Sequence, residues 1–306
     1  MSPLRSAVAL FLSTLAVFLF PGCAGMDALT QAGAGVAQRS GHITQEQASS
    51  ITKTSSSFAK SFEDITPEQE YFIGRSVGAT ILGKYPPYGN QVSNRYLNLL
   101  GQALAQASDR PETFQGYHFQ ILETEEINAF AAPGGLIFVS RGMLRCCRTE
   151  DAVAAVLAHE IGHIQNQHGL KAIQTARLTT AFTILATEGA KSVGGKELKN
   201  LTQAFEGSIS DITGTLMNSG YSRQSEREAD AAAVKILSRV GYDPNALVAM
   251  LQEMEKRLKP GGLDFAKTHP SPQSRIGEVQ GMIGSYKVVP VIPVRQERFR
   301  MALGNV

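Results

Sequence analysis

His159 and His163 stand four residues apart, with a glutamate directly after the first of them, in His159-Glu160-Ile161-Gly162-His163. On an α-helix, positions i and i+4 share a face, so both imidazoles can reach one ion placed over that face. Glu160 is adjacent to the first imidazole and can address a water at the ion without being a ligand itself. The spacing predicts a metal site equipped with a general base, the arrangement of metal-assisted hydrolysis. The preceding run Ala152-Val153-Ala154-Ala155-Val156-Leu157-Ala158 makes the helix apolar. A buried helix supplies the dry, rigid setting that such chemistry needs.

Two imidazoles leave a catalytic zinc ion in need of a third protein ligand and one open position. The candidate segment is Ser225-Glu226-Arg227-Glu228-Ala229-Asp230. On a helix Glu226 and Asp230 share a face, while Glu228 points elsewhere. Glu226 is the expected third ligand, with Glu228 as the fallback. Asp230, one turn on, is placed to accept a hydrogen bond from a ligand imidazole, which would set its tautomer and raise its basicity. Taken alone, the segment also reads as a solvated acidic face partnered by Arg223 and Arg227; the paired histidines decide for the metal. His168 is read as structural and carries no assigned role.

These residues need elements to hold them. Thr149 with Glu150 and Asp151 predicts a helix start, its acidic first turn matching the helix dipole, and the helix is expected to run to about His168 and stop at Gly169. Ser222 to Val240 reads as a second helix ended by Gly241. Thr66-Pro67-Glu68-Gln69 predicts another start, with an N-cap, Pro at the first position and Gln three residues after the cap. Val92, Tyr96, Leu99, Leu100, Ala103 and Leu104 recur at helical spacing. Residues 117–122 alternate like a strand, 127–130 suggest another, and Pro133-Gly134-Gly135 marks a turn before the strand-like 136–139. Helix starts are expected at Asp243-Pro244 and Ser271-Pro272. Residues 170–218 read as helical with Gly interruptions, in stretches too short and polar to cross a membrane. No repeat of helical-array period is visible. The expected class is α+β, mostly helical, with a small sheet beside the histidine-bearing helix, in a domain spanning 63–306.

The 306 residues are 43% hydrophobic, enough for a sizeable core, and 29 basic against 27 acidic side chains give a net charge of +2. With no block of like charge and no recognition motif, nucleic acid is not an expected partner. At the N-terminus Arg5 precedes the apolar run Ala7–Phe20, 14 residues that suit a secretory signal and fall short of the ~20 a membrane span needs. Phe20-Pro21-Gly22-Cys23 resembles a bacterial lipoprotein processing site. Residues 1–22 would be the signal peptide and Cys23 the lipidated residue; simple secretion or an uncleaved anchor are the alternatives. Ala24 after the cysteine favours the outer membrane over retention, so the expected location is the periplasm, with the lipid as the membrane contact. Residues 23–62, rich in Ala, Gly, Ser, Thr and Gln, read as a flexible tether. Of the three cysteines, Cys146 and Cys147 are adjacent; a bridge between neighbours is strained, and two buried thiols are the expectation, with a redox switch as the alternative.

Four segments together resemble the zinc metallopeptidase family of HtpX, the Oma-type proteases and the CAAX prenyl proteases. They are Asn128-Ala129-Phe130-Ala131-Ala132-Pro133-Gly134-Gly135, the His159–His163 motif, Glu226-Arg227-Glu228-Ala229-Asp230, and His269-Pro270 with Arg275. The likeness runs from about Pro67 to Arg275. It implies a zincin-like fold, one zinc ion with Glu226 as a gluzincin-type third ligand, and endoproteolysis with Glu160 as base. It further implies that Asn128, Ala129, Phe130 and Ala131 form an edge strand to which a polypeptide substrate adds as a strand. His269 and Arg275 match a family segment near the metal, where either could stabilise an oxyanion, or His269 could plug the open position. The transmembrane spans and helical-repeat tail of some members have no counterpart here, so the nearest likeness is the compact, BepA- and LoiP-like periplasmic lipoprotein branch. Quality control of misfolded or misassembled envelope proteins is the expected task; a largely latent protease acting as a periplasmic chaperone is the alternative.

Overall fold

Thr66 opens the first helix as its sequence predicts. Its hydroxyl accepts from the Gln69 backbone N–H at 3.2 Å, and the Gln69 side chain accepts from the Thr66 N–H at 3.0 Å. This closed capping box starts α1, Pro67–Lys84. The computed structural model describes residues 66–171, 213–257, 269–284, 289–290 and 292–306. The expectations for the signal peptide, Cys23, the tether and most of the 170–218 stretch lie outside the described residues.

Helix α2, Gln91–Gln106, is capped by Asn90, whose Oδ1 accepts from Val92 and Ser93. Its buried stripe is Leu97, Leu100 and Leu104, packed over strand β1. Val92 and Leu99, expected in that stripe, are instead exposed. They lie on the Val92–Tyr96–Leu99–Ala103 row, which keeps the helical period equally well, but the three leucines at 97, 100 and 104 offer more apolar surface and take the core.

Three short strands follow: β1 His118–Leu122, β2 Ala129–Ala132 and β3 Leu136–Ser140. The order is β1-β3-β2, with β1 parallel and β2 antiparallel to β3. Strand β2 is therefore an edge among the described residues. The Pro133–Gly135 turn joining β2 to β3 has Gly134 at φ +78°, and a Cβ there would lie 2.7 Å from the Tyr71 Cα, so only glycine fits. Buried Glu70 of α1 ties down the turn: it accepts from the Gly134 N–H at 3.1 Å and pairs with Arg110 at 2.6 Å.

A helix not foreseen from sequence, α3 Arg141–Cys146, begins at Ser140, whose Oγ accepts from the Met143 N–H. Cys146 and Cys147 are buried thiols, their Sγ atoms directed at the Gly142 and Met143 carbonyls one turn back. Burial pushes the Cys147 thiol far up, so it stays protonated and unreactive.

The histidine-bearing helix α4 spans Glu150–Gln165, capped by Thr149. It stops three residues earlier than expected, because Gln167 adopts φ +54° and helical turns resume only at His168. Helix α5, Arg223–Val240, runs from the Ser222 cap to Gly241 at φ +74°, as its sequence predicts. Asp243 caps α6, Asn245–Arg257, and α7 Pro272–Ile283 and α8 Pro293–Leu303 complete the described α-helices. The architecture is α+β and mostly helical, with the small sheet beside α4. Helix α4 is the hub, touching β2, α2, α5 and α6. Residues Ala152–Ile164 of α4 are all buried.

Candidate metal centre

Helices α4 and α5 can meet closely because of Gly162. A Cβ at that position would lie 2.8 Å from the Ala229 carbonyl oxygen and 3.0 Å from its Cα, so α5 lies directly on the histidine face of α4. That contact delivers Glu226, at the start of α5, between His159 and His163.

The two imidazoles present Nε2 to Nε2 at 3.2 Å. Glu226 Oε1 lies 3.4 Å from His163 Nε2, and Glu226 Oε2 lies 3.6 Å from His159 Nε2. Ligand atoms about 2.0–2.1 Å from a tetrahedral ion lie about 3.3 Å from one another. The imidazole pair and the two contacts made by separate Glu226 oxygens lie near that figure, so these side chains converge closely enough to hold one metal ion. Glu226 Oε2 is buried without a hydrogen-bond partner among the described residues, an acceptor that an ion would satisfy. With His269 the group becomes four residues whose ligand atoms all fall within 4.8 Å of one another.

Electrostatics suit this use. Burial pushes the His163 imidazole down to about 3, which keeps it neutral and its lone pair available. Burial would raise Glu226, but His269, with Nδ1 at 2.7 Å from Oε1, and His163 outweigh it and hold the carboxyl well below the usual range. Glu160 follows the opposite course: burial dominates and pushes its carboxyl up against the pull of His269 and His159. Its Oε2 has no hydrogen-bond partner among the described residues.

Asp230 lies where the sequence predicts, with Oδ1 3.0 Å from His159 Nδ1. Burial acts to raise its pKa, but the Arg275 charge and the His159 hydrogen bond bring it to about 2. Arg275 comes to the centre, though not facing an open cleft. Its Nε and Nη2 donate to the two Asp230 oxygens, and Nη1 lies 3.4 Å from Glu226. It is the buried counter-charge of two carboxylates, a different placement from the expected oxyanion donor. Glu228 is not among the clustered residues; it reaches His168 instead, at 3.0 Å.

Asn128 precedes strand β2, its side chain accepting from the Ala129 N–H. Ala129, Phe130 and Ala131 lie within the strand and are buried. Tyr221, which the sequence reading missed, donates its hydroxyl to the Ala131 carbonyl at 3.3 Å and stacks on His163 at 4.1 Å between centroids. The signal available was its place just before the Ser222 cap, where an apolar residue commonly fixes the entry of a helix.

Comparison with known proteins agrees with this geometry. The chain matches the model of peptidase family M48 over residues 91–283, more than half its length. It is 25% identical over 241 residues to the beta-barrel assembly-enhancing protease of Escherichia coli (strain K12), covering 76% of this chain and 47% of that protein. It is 32% identical over 166 residues to the mitochondrial metalloendopeptidase OMA1 of Schizosaccharomyces pombe, covering 54% of this chain and 46% of the other. It is 27% identical over 166 residues to the metalloprotease LoiP of Escherichia coli (strain K12), covering 54% of this chain and 62% of LoiP. The chain thus spans about half the length of the first two relatives. With the HExxH helix, the carboxylate helix and the sheet edge in the order the resemblance implied, the chain belongs to peptidase family M48.

Proposed function

We propose that this protein is a zinc-dependent endopeptidase that hydrolyses internal peptide bonds of misfolded or misassembled envelope proteins. The observation that carries the reading is the convergence of His159 Nε2, His163 Nε2 and the two Glu226 oxygens, at contacts of 3.2–3.6 Å, beside a buried Glu160 oxygen that has no hydrogen-bond partner among the described residues. The names of the relatives support the class of reaction, and that of the beta-barrel assembly-enhancing protease supports an envelope setting. No described helix is long and apolar enough to cross a membrane. The signal and Cys23 pattern supports a lipid anchor in the periplasm, the outer membrane being favoured by Ala24.

Zinc, when bound, supplies Lewis acidity and brings the pKa of water down to about 7 in well-studied sites. The rest is done by the chain. His159, His163 and Glu226 would hold the ion, and Asp230 orients His159 through Nδ1. Glu160, whose carboxyl burial pushes up, takes a proton from the attacking water and returns one to the leaving amine. An extended substrate would pair with the outward edge of β2, whose Ala131 carbonyl can accept a backbone N–H once Tyr221 withdraws. Metal content and cleavage of a denatured protein, measured together on wild type and Glu160→Gln, test the assignment. The variant should keep one zinc ion per chain and lose about 10²–10⁴-fold in rate. Wild-type turnover by Glu160→Gln would remove it from the mechanism.

A second reading, a largely latent protease acting as a chaperone, is favoured by two contacts. His269 is the fourth member of the ligand cluster, and Tyr221 occupies the Ala131 carbonyl. If His269 closes the site, His269→Ala should raise cleavage of an unfolded protein at least tenfold while zinc stays bound. A drop in cleavage instead would place His269 in the reaction.

A further inference from the structure

The proposed ligand His163 has a second nitrogen, and the structure shows where it points. His163 Nδ1 lies 2.9 Å from His168 Nδ1, and His168 Nε2 lies 3.0 Å from Glu228 Oε2. His168 is buried, the Glu228 side chain is 39% exposed, and Gln224 donates to the other Glu228 oxygen at 3.0 Å. We infer that His168 and Glu228 are positioning residues that orient His163 through this two-step hydrogen-bond chain and thereby set the affinity of the metal site.

This inference rests on the reading of His163 as a metal ligand through Nε2, and the proton positions follow from it. A neutral imidazole that gives Nε2 to an ion carries its hydrogen on Nδ1. His163 Nδ1–H therefore donates to His168 Nδ1, which must be the bare nitrogen of that ring. His168 then carries its hydrogen on Nε2 and donates it to the Glu228 carboxylate. Every nitrogen and every hydrogen has one place, and no change of protonation is needed. A carboxylate behind a ligand imidazole fixes ring orientation and strengthens the ligand. Here a second imidazole is interposed, which carries the effect of a partly solvated carboxylate into a buried site.

The backbone is shaped for this contact. A residue five positions after His163 lies off its helical face, so an unbroken α4 would carry His168 away. The helix instead ends at Gln165, and Gln167 takes φ +54°, the sole positive φ at a non-glycine among the described residues. Side chains rarely adopt that conformation. After it the chain turns back, the Lys171 N–H bonds to the Gln167 carbonyl, and His168 comes under His163. The two ligand histidines are thus held by separate devices, His159 by Asp230 and His163 by His168 with Glu228.

The test is zinc affinity, measured by competition with a chromogenic chelator, together with the thermal midpoint of the metal-free protein. Glu228→Ala should weaken zinc about ten- to a hundredfold and leave the metal-free midpoint within about 2 °C of wild type, because the side chain is partly exposed. His168→Gln, whose amide can accept from His163 and donate to Glu228, should retain most of the affinity that His168→Leu loses. Nitrogen chemical shifts of zinc-loaded wild type should show His168 bare at Nδ1 and protonated at Nε2. Zinc binding by Glu228→Ala and His168→Leu as tight as that of wild type overturns the relay alone. A wild type that binds no zinc overturns the ligand assignment and the relay together.

Discussion

Glu226 and Asp230, one turn apart on α5, are both buried, and Arg275 is the guanidinium between them. Two carboxylates taken out of water need such a counter-charge, and removing one member of a buried pair commonly costs about 3–5 kcal/mol. Asp230→Asn leaves Arg275 facing one ionised partner in place of two, so metal-free protein should lose stability of about that size in urea unfolding. A loss below about 0.5 kcal/mol would mean that water already screens the pair. The sequence disclosed these residues unequally. His159, Glu160 and His163 are legible because i and i+4 spacing is a local property of a helix. Glu226 and Asp230 share a face for the same reason, and the need of a paired-histidine site for a third ligand pointed to them, while their meeting with the histidines depends on tertiary packing that spacing alone does not give. His168 was only half legible: it fits the pattern of the resembled family, but its use depends on a break at Gln167 that no spacing rule anticipates. Arg275 was placed near the centre from sequence, while its orientation toward Asp230 emerges only from packing.

At the scale of elements the meeting of Glu226 with His159 and His163 is a consequence of how closely α4 and α5 approach. Gly162 sits between His159 and His163, and a methyl group there would overlap the Ala229 carbonyl. Neither helix can yield cheaply, since α4 is buried against β2, α2 and α6 as well. Gly162→Ala should therefore push the start of α5 outward and carry Glu226 with it. Overpacking of this kind costs about 1–3 kcal/mol, and a misplacement near 1 Å costs on the order of 10² in rate. Activity should fall much further than stability, in a comparison of turnover with urea midpoints. Equal zinc affinity and turnover in Gly162→Ala would show that the helices are less tightly coupled than the contact implies. Helix starts were well anticipated where a polar cap announced them, at Thr66, Thr149, Ser222 and Asp243, because caps act through neighbouring backbone N–H groups. Helices α3 and α8 were not anticipated. The first is only six residues long, and α8 carries a single buried residue, Leu303, giving it no apolar period to detect.

Across the whole folded unit, polar side chains join elements that the apolar core leaves to be aligned. Glu150, at the first turn of α4 and fully buried, accepts from Tyr96 of α2 at 3.1 Å, from Tyr242 after α5 at 2.8 Å, and from Arg298 of α8 at 2.6 Å. Phenols recur in such places. Tyr85 donates to Glu126, Tyr117 to the Arg110 carbonyl and Tyr221 to Ala131. Burial, reinforced at Tyr242 by Glu150, pushes Tyr117 and Tyr242 up to about 12, and it raises Tyr85, Tyr96 and Tyr221 further. An unfolded tyrosine ionises near pH ~10. The unfolded chain therefore gives up these protons first as pH rises, so their contribution to stability is complete below about pH 10 and is lost as pH climbs toward the folded values. The chain has eight tyrosines and no tryptophan, which leaves phenolate absorbance in the near ultraviolet unobscured. At about pH 11, one unit above the ordinary value, the five named tyrosines should still be protonated in the folded protein. Their signal should then arrive in one cooperative step with loss of helical circular dichroism. Gradual ionisation of all eight near pH ~10, with helicity intact, would mean that these phenols lie in water and that the Glu150 junction is open in solution.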